Sequence, residues 1–192
     1  MDGFRYMHVA VHVSDTDSDT DIVMPEQCHS SVVKVVESGT DDRKACDALV
    51  TTNMELTLGI HTRDCAPICF ADGERIATAH VGWHGLCGGI IENVLRVMEK
   101  KNLEVFVGPH LHAFEIQKDF CYDAVVKKFG NTFLNETNGK LTFQFKDAIA
   151  SLLPIMTTYD ERDTAVSVEL PSYRHKRMFG HIITTVGFTQ NI

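Results

Sequence analysis

The stretch that decides the fold covers residues 59–89 and reads GIHTRDCAPICFADGERIATAHVGWHGLCGG. Two short apolar runs lie on either side of Asp72-Gly73, a dipeptide typical of a β-hairpin turn. A glycine-rich segment follows the second run, and apolar residues at helical spacing come after it. Strand, hairpin, strand and helix in so short a stretch indicate an α/β domain.

Metal-ligating side chains lie in the same stretch. Cys65 lies beside Asp64, just before the first apolar run, and His80 ends the second apolar run. Zinc, copper and iron favour thiolate and imidazole ligands, and a catalytic zinc has three protein ligands and one open position. His29 is a third candidate, because it lies just before a strand and can sit at a sheet end. The spacing is not that of a zinc finger, so it also fits a small buried cysteine and a core histidine.

Strand-type and helical patterns continue along the chain. Strands are predicted at residues 6–13, 31–36, 47–51, 56–61, 67–70, 75–80, 105–107, 165–168 and 182–188. Helices are predicted at residues 89–101, 119–129 and 145–153, and Gly130 is placed to cap the second. No linker, repeat or low-complexity segment divides the chain. We therefore expect residues 1–192 to form one α/β domain, with its many short strands in two sheets or one strongly bent sheet.

Composition excludes several classes of protein. The chain has 192 residues and a net charge of −8, which argues against a broad nucleic-acid interface. No apolar run approaches the roughly 20 residues of a membrane-spanning helix. The N-terminus has no signal-peptide pattern, and the six cysteines are interpreted as free thiols. We expect a cytoplasmic protein with no membrane or nucleic-acid partner, and the sequence does not indicate its oligomeric state.

The glycine-rich segment at residues 82–89 has two interpretations. Its backbone N–H groups, at the start of a helix, could form an anion-binding nest. It could equally be a tight turn that needs positive φ angles. No Gly-Lys-Ser/Thr follows, so it is not a P-loop. Trp83 within it either stacks on a base or covers the core.

Three other motifs are weaker. Residues 15–26 place aspartates at the first ligand positions of a calcium loop, but Thr20 stands where that loop needs glycine, so a solvated loop is favoured. His110 and His112 form one His-x-His pair, which is too little for a multicopper centre and is expected at the surface or a pocket rim. Arg174 could hold an anion or be an ordinary surface charge.

Six segments, in order along nearly the whole chain, resemble the motifs of one family, the YfiH-like or laccase-domain proteins, once called multicopper polyphenol oxidoreductases. The segments are residues 27–33 (QCHSSVV, like Q-V-H-G-x-x-V), 46–51 (CDALVT, like A-D-A-L-V-T), 62–67 (TRDCAP, like T-A-D-C-x-P), 80–85 (HVGWHG, like H-A-G-W-R-G), 108–109 with 114–116 (GP and FEI, like G-P-x-I-G and F-E-V) and 172–174 (SYR, like S-Y-R).

The resemblance implies a layered α/β/β/α fold with mixed sheets. It also implies a metal site formed by His29, Cys65 and His80, with zinc favoured over copper. Members of the family are described as purine nucleoside phosphorylases, some of which also deaminate adenosine. Others are described as amidases that remove a wrong amino acid from a cell-wall precursor. A small-molecule substrate, with phosphate as co-substrate in the first case, is therefore expected.

The chain departs from the family pattern at several positions. His84 replaces the arginine of H-A-G-W-R-G, so a permanent, fork-shaped cation becomes a group that titrates near neutrality. Ser30 replaces the glycine after the first histidine, and the segment between the first strand and His29 is short. These changes mark a divergent, short member and leave its substrate open.

The leading hypothesis is a zinc-dependent purine nucleoside phosphorylase, with or without adenosine deaminase activity. Asp47 or Asp64 would act as acid or base or orient a ligating histidine, while the turn at residues 82–89 would orient phosphate. The predicted catalytic residues are Cys65, His80, Asp64 and His84, and the predicted substrate-binding residues are Asp47, Gly82, Trp83, Gly85 and Arg174.

Two alternatives come from other mechanisms. Cys65 could be the nucleophile of an amidase with His80 as its base. That mechanism competes with the metal site, because a cysteine held on zinc is a poor free nucleophile. The loss of the arginine at position 84 also fits a non-catalytic, zinc-containing binding module.

Overall fold

The computed structural model describes residues 7–15, 21–98, 102–154 and 156–189. In chain order its strands are β1 (Met7–Ser14), β2 (Ile22–Val23), β3 (Val33–Val35), β4 (Ala48–Thr51), β5 (Thr57–Thr62), β6 (Ala66–Ala71), β7 (Ile76–Val81), β8 (Glu104–Val107), β9 (Phe114–Ile116), β10 (Leu134–Thr137), β11 (Lys140–Phe143), β12 (Thr158–Tyr159) and β13 (His181–Phe188). Its helices are α1 (Trp83–Gly88), α2 (Ile90–Val97), α3 (Phe120–Phe129) and α4 (Phe145–Ala150).

The strands form two mixed sheets and one small antiparallel sheet. The four-stranded sheet has the order β1-β13-β5-β2, with only the β2–β5 pair parallel. The six-stranded sheet has the order β12-β8-β6-β7-β4-β3, with parallel pairs at its two edges. The small sheet has the order β10-β11-β9. The predicted fold class, α/β with mixed sheets, is confirmed.

The hairpin between β6 and β7 forms as the sequence predicts. The Asp72 carboxylate accepts hydrogen bonds from the N–H groups of Glu74 and Arg75, at 3.0 and 2.7 Å. Gly73 has a φ of 93°, which a residue with a side chain rarely adopts. The turn aligns two strands whose residues are all buried, and these strands lie at the centre of the larger sheet.

Two apolar clusters separate the layers. One lies between the sheets and includes Leu49, Leu58, Ile76 and Val186. The other lies between the six-stranded sheet and the helices, where α1 to α4 all place buried side chains. Each fully buried aliphatic side chain in such a cluster contributes about 1.5–3 kcal/mol. Residues at the rim between the two sheets are therefore held on both sides by packed layers.

The segment from residue 63 to residue 65 crosses from one sheet to the other. It joins β5 of the four-stranded sheet to β6 of the six-stranded sheet, and Cys65 is its last residue. His80 pairs with Pro67 on the neighbouring strand, close to this crossing. The topology thus brings the thiol and the imidazole to the same rim, although they are separated by a hairpin in sequence.

Several predicted elements differ in the structure. Residues 165–168 lie in a turn region and not in a strand, and Val166 and Val168 are each 74% exposed, because no strand of the described residues pairs with them. The helix predicted at residues 89–101 is α2, which ends at Val97; residues 99–101 lie outside the described part. The helix predicted at residues 145–153 is α4, which ends at Ala150 and continues as turns.

The glycine-rich segment is not a turn with repeated positive φ angles. It forms the short helix α1, and within it only Gly89 lies in the left-handed region, with a φ of 89°. Gly89 separates α1 from α2. The calcium-loop hypothesis concerns residues 15–26, of which residues 16–20 lie outside the described residues.

The longest helix in the described part of the chain is α3, with 10 residues. No described helix has the length and apolarity that crossing a membrane requires.

Candidate functional site

A buried carboxylate organises the loop that carries His29. Asp47 immediately precedes β4 and is fully buried. It accepts hydrogen bonds from the backbone N–H groups of His29 at 2.9 Å and Ser30 at 2.6 Å, and from the Ser30 hydroxyl at 2.8 Å. His29 has a φ of 62°, a left-handed conformation that is unfavourable for a residue with a side chain. The hydrogen bonds to Asp47 offset that strain and fix the imidazole's position.

The same carboxylate holds His80. His80 Nδ1 lies 2.7 Å from Asp47 Oδ1, and the His80 N–H donates to the Asp47 carbonyl at 2.7 Å. Burial acts to lower the pKa of His80, but Asp47 and the Cys65 thiolate raise it to about 9. Burial acts to raise the pKa of Asp47, but the bonds from His80 and Ser30 hold it well below its usual range. With Nδ1 engaged, Nε2 is the nitrogen of His80 that remains for a ligand.

Cys65 completes a three-residue cluster with the two histidines. Its Sγ lies 3.8 Å from His29 Nε2, and one donor atom from each of His29, Cys65 and His80 lies within 4.8 Å of the others. Tetrahedral zinc with bonds of 2.0–2.3 Å needs donors about 3.3–3.6 Å apart. The three donors are therefore within about 1.5 Å of the spacing that one metal ion requires.

The surroundings of the cluster fit a metal ion. Imidazole and thiolate both bind zinc, three protein ligands leave a fourth position open, and a carboxylate bound to the second nitrogen of a ligating histidine is the usual support. A Cβ at Gly82 would lie 3.0 Å from Cys65 Sγ and 3.0 Å from His29 Cδ2. Because position 82 is glycine, no side chain there comes between Cys65 Sγ and the His29 ring. The residues fit a zinc-type ion, whose identity stays a prediction.

The cluster also activates the thiol. Burial acts to raise the pKa of Cys65, but the adjacent His29 and His80 lower it to about 7. The contact with Cys65 in turn raises the pKa of His29. Near neutral pH, Cys65 is thus partly a thiolate, which is the form that binds metal and the form that attacks an electrophile.

A cavity of about 680 Å³ opens beside the three donors, a volume that suits a small-molecule ligand. Of the predicted site residues, Asp64, Trp83, His84 and Arg174 line it together with the donors. Asp47, Gly82 and Gly85 are not part of its lining. Gly85 instead lies against the loop of His29, where a Cβ would be 2.9 Å from the Ser30 carbonyl oxygen.

Asp64 anchors a distant loop to the cavity. Its Oδ1 accepts hydrogen bonds from the hydroxyls of Thr164 and Ser172, both at 2.7 Å. Its Oδ2 accepts one from the Arg174 N–H at 2.8 Å. The Arg174 guanidinium lies 4.2 Å above the Phe114 ring. These bonds hold the segment Ser172-Tyr173-Arg174 beside the cavity. An acid–base role for Asp64 stays a prediction.

His84 lies in an aromatic stack. Its ring is 3.5 Å from that of Trp83 at an interplanar angle of 30°, and Trp83 lies 5.6 Å from Phe120. Partial burial and the nearby His29 lower the pKa of His84. His84 is therefore a neutral, flat surface at neutral pH rather than a permanent cation.

Part of the cavity wall was not predicted from the sequence. His61 and His181 lie on the paired strands β5 and β13, with ring centroids 5.1 Å apart, and both line the cavity. The Gln27 amide bonds both the N–H and the carbonyl of His61, at 3.1 and 2.9 Å. Arg63 lines the cavity beside them. His61 and Arg63 could have been proposed as wall residues from the sequence, because they lie directly before the Asp64-Cys65 motif.

The His-x-His pair lies elsewhere. His110 is fully buried, which corrects the expectation of a surface or rim position, and its Nδ1 donates to the Gly108 carbonyl at 2.8 Å. Burial lowers its pKa to about 4. Neither His110 nor His112 lines the cavity described above.

Comparison with known proteins places this geometry in a family. The family model described as "multi-copper polyphenol oxidoreductase laccase" matches residues 7–189. The chain is 30% identical over 176 residues to a purine nucleoside phosphorylase of Aquifex aeolicus, which covers 86% of this chain and 82% of that protein. It is 31% identical over 133 residues to adenosine deaminase RL5 of an unknown prokaryotic organism, which covers 60% of this chain and 49% of that protein.

Solved structures share the fold. A Neisseria meningitidis protein superposes with a TM-score of 0.77 at 24% identity, over 88% of this chain and 75% of that one. The Bacillus licheniformis protein YfiH superposes with a TM-score of 0.76 at 20% identity, over 90% of this chain and 76% of that one. Since the family model spans nearly all of the chain and a relative matches most of both lengths, the chain belongs to the multi-copper polyphenol oxidoreductase laccase family, of which YfiH is a member.

Proposed function

We propose that the protein is a zinc-dependent purine nucleoside phosphorylase. The observation that carries the proposal is the convergence of His29, Cys65 and His80 beside a ligand-sized cavity. The names of two curated relatives, a purine nucleoside phosphorylase and an adenosine deaminase, support a purine nucleoside as the substrate. Both relatives are near 30% identity, so the activity is a proposal for this chain.

His29, Cys65 and His80 would hold the zinc, and Asp47 keeps the ring of His80 in one orientation. Zinc bound there supplies Lewis-acid chemistry. The Trp83–His84 stack at the cavity wall offers an aromatic face on which a purine can lie. In phosphorolysis, a phosphate oxygen bonds to C1′ of the ribose while the C1′–N9 bond breaks and the purine leaves with that electron pair.

Deamination of adenosine is a second activity that the same cavity could support, and the likeness to adenosine deaminase RL5 favours testing it. Water would add at C6 of the purine, and ammonia would leave. The two reactions give different products from one substrate, so one assay separates them.

The test incubates zinc-loaded protein with adenosine, inosine and guanosine, with and without phosphate, and identifies the products by mass. Phosphorolysis predicts free base and ribose 1-phosphate only when phosphate is present, and deamination predicts inosine from adenosine. Cys65→Ser should abolish both activities, whereas Cys87→Ser, which changes a half-buried cysteine outside the cavity lining, should retain them. Ligand binding without turnover of any nucleoside would contradict the proposal and favour a non-catalytic binding module.

An amidase with Cys65 as its nucleophile is a second candidate. Two features of Cys65 favour it. Its Sγ lies 3.8 Å from His29 Nε2, and the pKa of its thiol is lowered to about 7. A thiolate held by zinc is unavailable for attack, so the two mechanisms make opposite predictions. Full amidase activity in metal-free protein, and its loss when zinc is added, would establish the amidase mechanism. The same result would contradict the metal-dependent mechanism.

A further inference from the structure

The cavity is cationic in a protein whose net charge is −8. Among the residues that the structure describes, two arginines and five of the ten histidines line it, and Asp64 is the one carboxylate in that lining. Both oxygens of Asp64 already accept hydrogen bonds from Thr164, Ser172 and the Arg174 N–H. The two guanidinium groups of the lining outnumber that carboxylate, which favours an anionic ligand.

Arg63 is the side chain best placed to bind that anion. It lies in the crossing segment, two residues before Cys65, and lines the cavity while half-buried. Its Nε donates to the Gly180 carbonyl at 3.1 Å. Gly180 packs closely against Ser14, where a Cβ would lie 2.4 Å from the Ser14 carbonyl oxygen. Among the described residues, no ion pair or further hydrogen bond engages the terminal amino groups of Arg63.

The other candidates for binding an anion, Arg174 and His84, both stack on aromatic rings. The guanidinium of Arg174 stacks on Phe114 at 4.2 Å, and its residue is exposed. His84 stacks on Trp83 and lacks the fork of donors that binds a phosphate in two places. Arg63 combines a permanent charge, an anchored Nε and a position on the cavity wall.

Positions 63 and 84 both belong to the cavity lining, so an arginine at either position would face the same space. In this chain the arginine stands at position 63 and a histidine at position 84. We infer that Arg63 is the phosphate-binding side chain of this cavity.

The inference rests on the proposed function only in taking a phosphate group as the ligand. That group belongs either to inorganic phosphate or to the 5′-phosphate of a purine nucleotide, since an arginine fork binds both in the same way.

The experiment titrates zinc-loaded protein by calorimetry with inorganic phosphate, adenosine 5′-monophosphate and adenosine, at constant pH and ionic strength. Arg63→Gln should weaken binding of a phosphate-bearing ligand by about tenfold or more and leave adenosine binding within about twofold. Weakening with inorganic phosphate identifies the co-substrate as the source. Weakening with the nucleotide alone identifies the 5′-phosphate. Both results support the assignment of Arg63.

The matched control is Arg43→Gln. Arg43 is also half-buried and donates to a backbone carbonyl, that of Met24 at 3.3 Å, but it lies outside this cavity. Its loss should leave phosphate binding unchanged. The double variant Arg63→Gln/His84→Arg should recover most of the lost affinity. Recovery separates phosphate binding from a structural role, because arginine at position 84 does not restore the bond to Gly180.

If Arg63→Gln does not fold, the wild-type protein still gives an answer. Inorganic phosphate or the nucleotide should protect Arg63, but not Arg43, from modification by phenylglyoxal, as measured by peptide mass. The inference is overturned if Arg63→Gln binds every ligand as Arg43→Gln does, if neither phosphate nor the nucleotide protects Arg63, or if the wild type binds neither phosphate nor the nucleotide. Phosphate binding through Arg63 without release of base would instead contradict only the proposed function.

Discussion

The Asp47 carboxylate and the His80 imidazole form a buried pair, with Oδ1 2.7 Å from Nδ1. The other bonds of that carboxylate hold the backbone of His29 and Ser30. One side chain thus positions two of the three candidate metal donors, although His29 and His80 come from different parts of the sequence. The site should therefore be more sensitive to Asp47 than to any other residue that does not itself contact the metal.

Asp47→Asn should weaken zinc binding by about 10–100-fold, because a carboxylate that supports a ligating histidine has an effect of that size. It should also lower the free energy of unfolding by about 1–3 kcal/mol, since the amide cannot accept all the bonds that the carboxylate accepts. Competition with a chromogenic chelator and urea unfolding measure the two effects.

Asp41→Asn is the control for that variant. Asp41 also accepts bonds from two backbone N–H groups, those of Glu37 and Ser38, but it does so on a loop away from the donors. It should affect stability and leave zinc affinity unchanged. Equal zinc affinity in the two variants would show that Asp47 is merely a loop anchor.

Gly82→Ala should lower zinc affinity by about tenfold or more while the protein stays folded. The added Cβ would lie 3.0 Å from Cys65 Sγ and from His29 Cδ2, so the two donors must move apart. Gly187→Ala is the control, because the nearest atom to its Cβ would be 3.5 Å away. Chelator competition, with circular dichroism as the folding check, measures the difference. Unchanged affinity would mean that the donors adjust without cost.

Alkylation of Cys65 in metal-free protein should reach half its maximal rate near pH 7, because His29 and His80 stabilise the thiolate. Replacing His29 with alanine should move that midpoint upward. Peptide mass spectrometry follows Cys65 apart from the other five cysteines. A midpoint near 9 would contradict the electrostatic coupling, and zinc should protect Cys65 at every pH.

In metal-free protein, Cys65 and His80 should contribute to the free energy of unfolding with opposite dependences on pH. The folded pKa of Cys65 lies below its ordinary 9.0, so its contribution is complete above pH 9 and is lost as the pH falls through 7. The folded pKa of His80 lies above its ordinary 6.5, so its contribution is complete below pH 6.5 and is lost as the pH rises through 9. Unfolding of Cys65→Ser and His80→Gln against the wild type, from pH 6 to 10, measures each slope.

Part of the fold was available from the sequence and was missed. Asn138-Gly139 connects β10 and β11, and both residues have positive φ angles, of 52° and 74°. That dipeptide is a strong hairpin signal in a two-residue loop. Residues 165–168 show the opposite error, because their β-branched residues fit a strand but, in the part of the chain that the structure describes, no strand pairs with them.

The site was only partly predictable for a different reason. The sequence identifies His29, Cys65 and His80 as donor types, but their convergence depends on the crossing between the two sheets. The wall formed by His61 and His181 depends on the pairing of β5 with β13, which links residues far apart in sequence. Asp47 lies outside the cavity lining for a similar reason, since its carboxylate is used by the loop at Ser30 and by His80.

The proposed function depends on one zinc ion bound by His29, Cys65 and His80. The decisive measurement is elemental analysis of zinc per chain after equilibration with a moderate chelator. We expect about one zinc per chain in the wild type and in Cys87→Ser, and almost none in folded Cys65→Ser. Equal zinc in Cys65→Ser and the wild type, or none in the wild type, would contradict it.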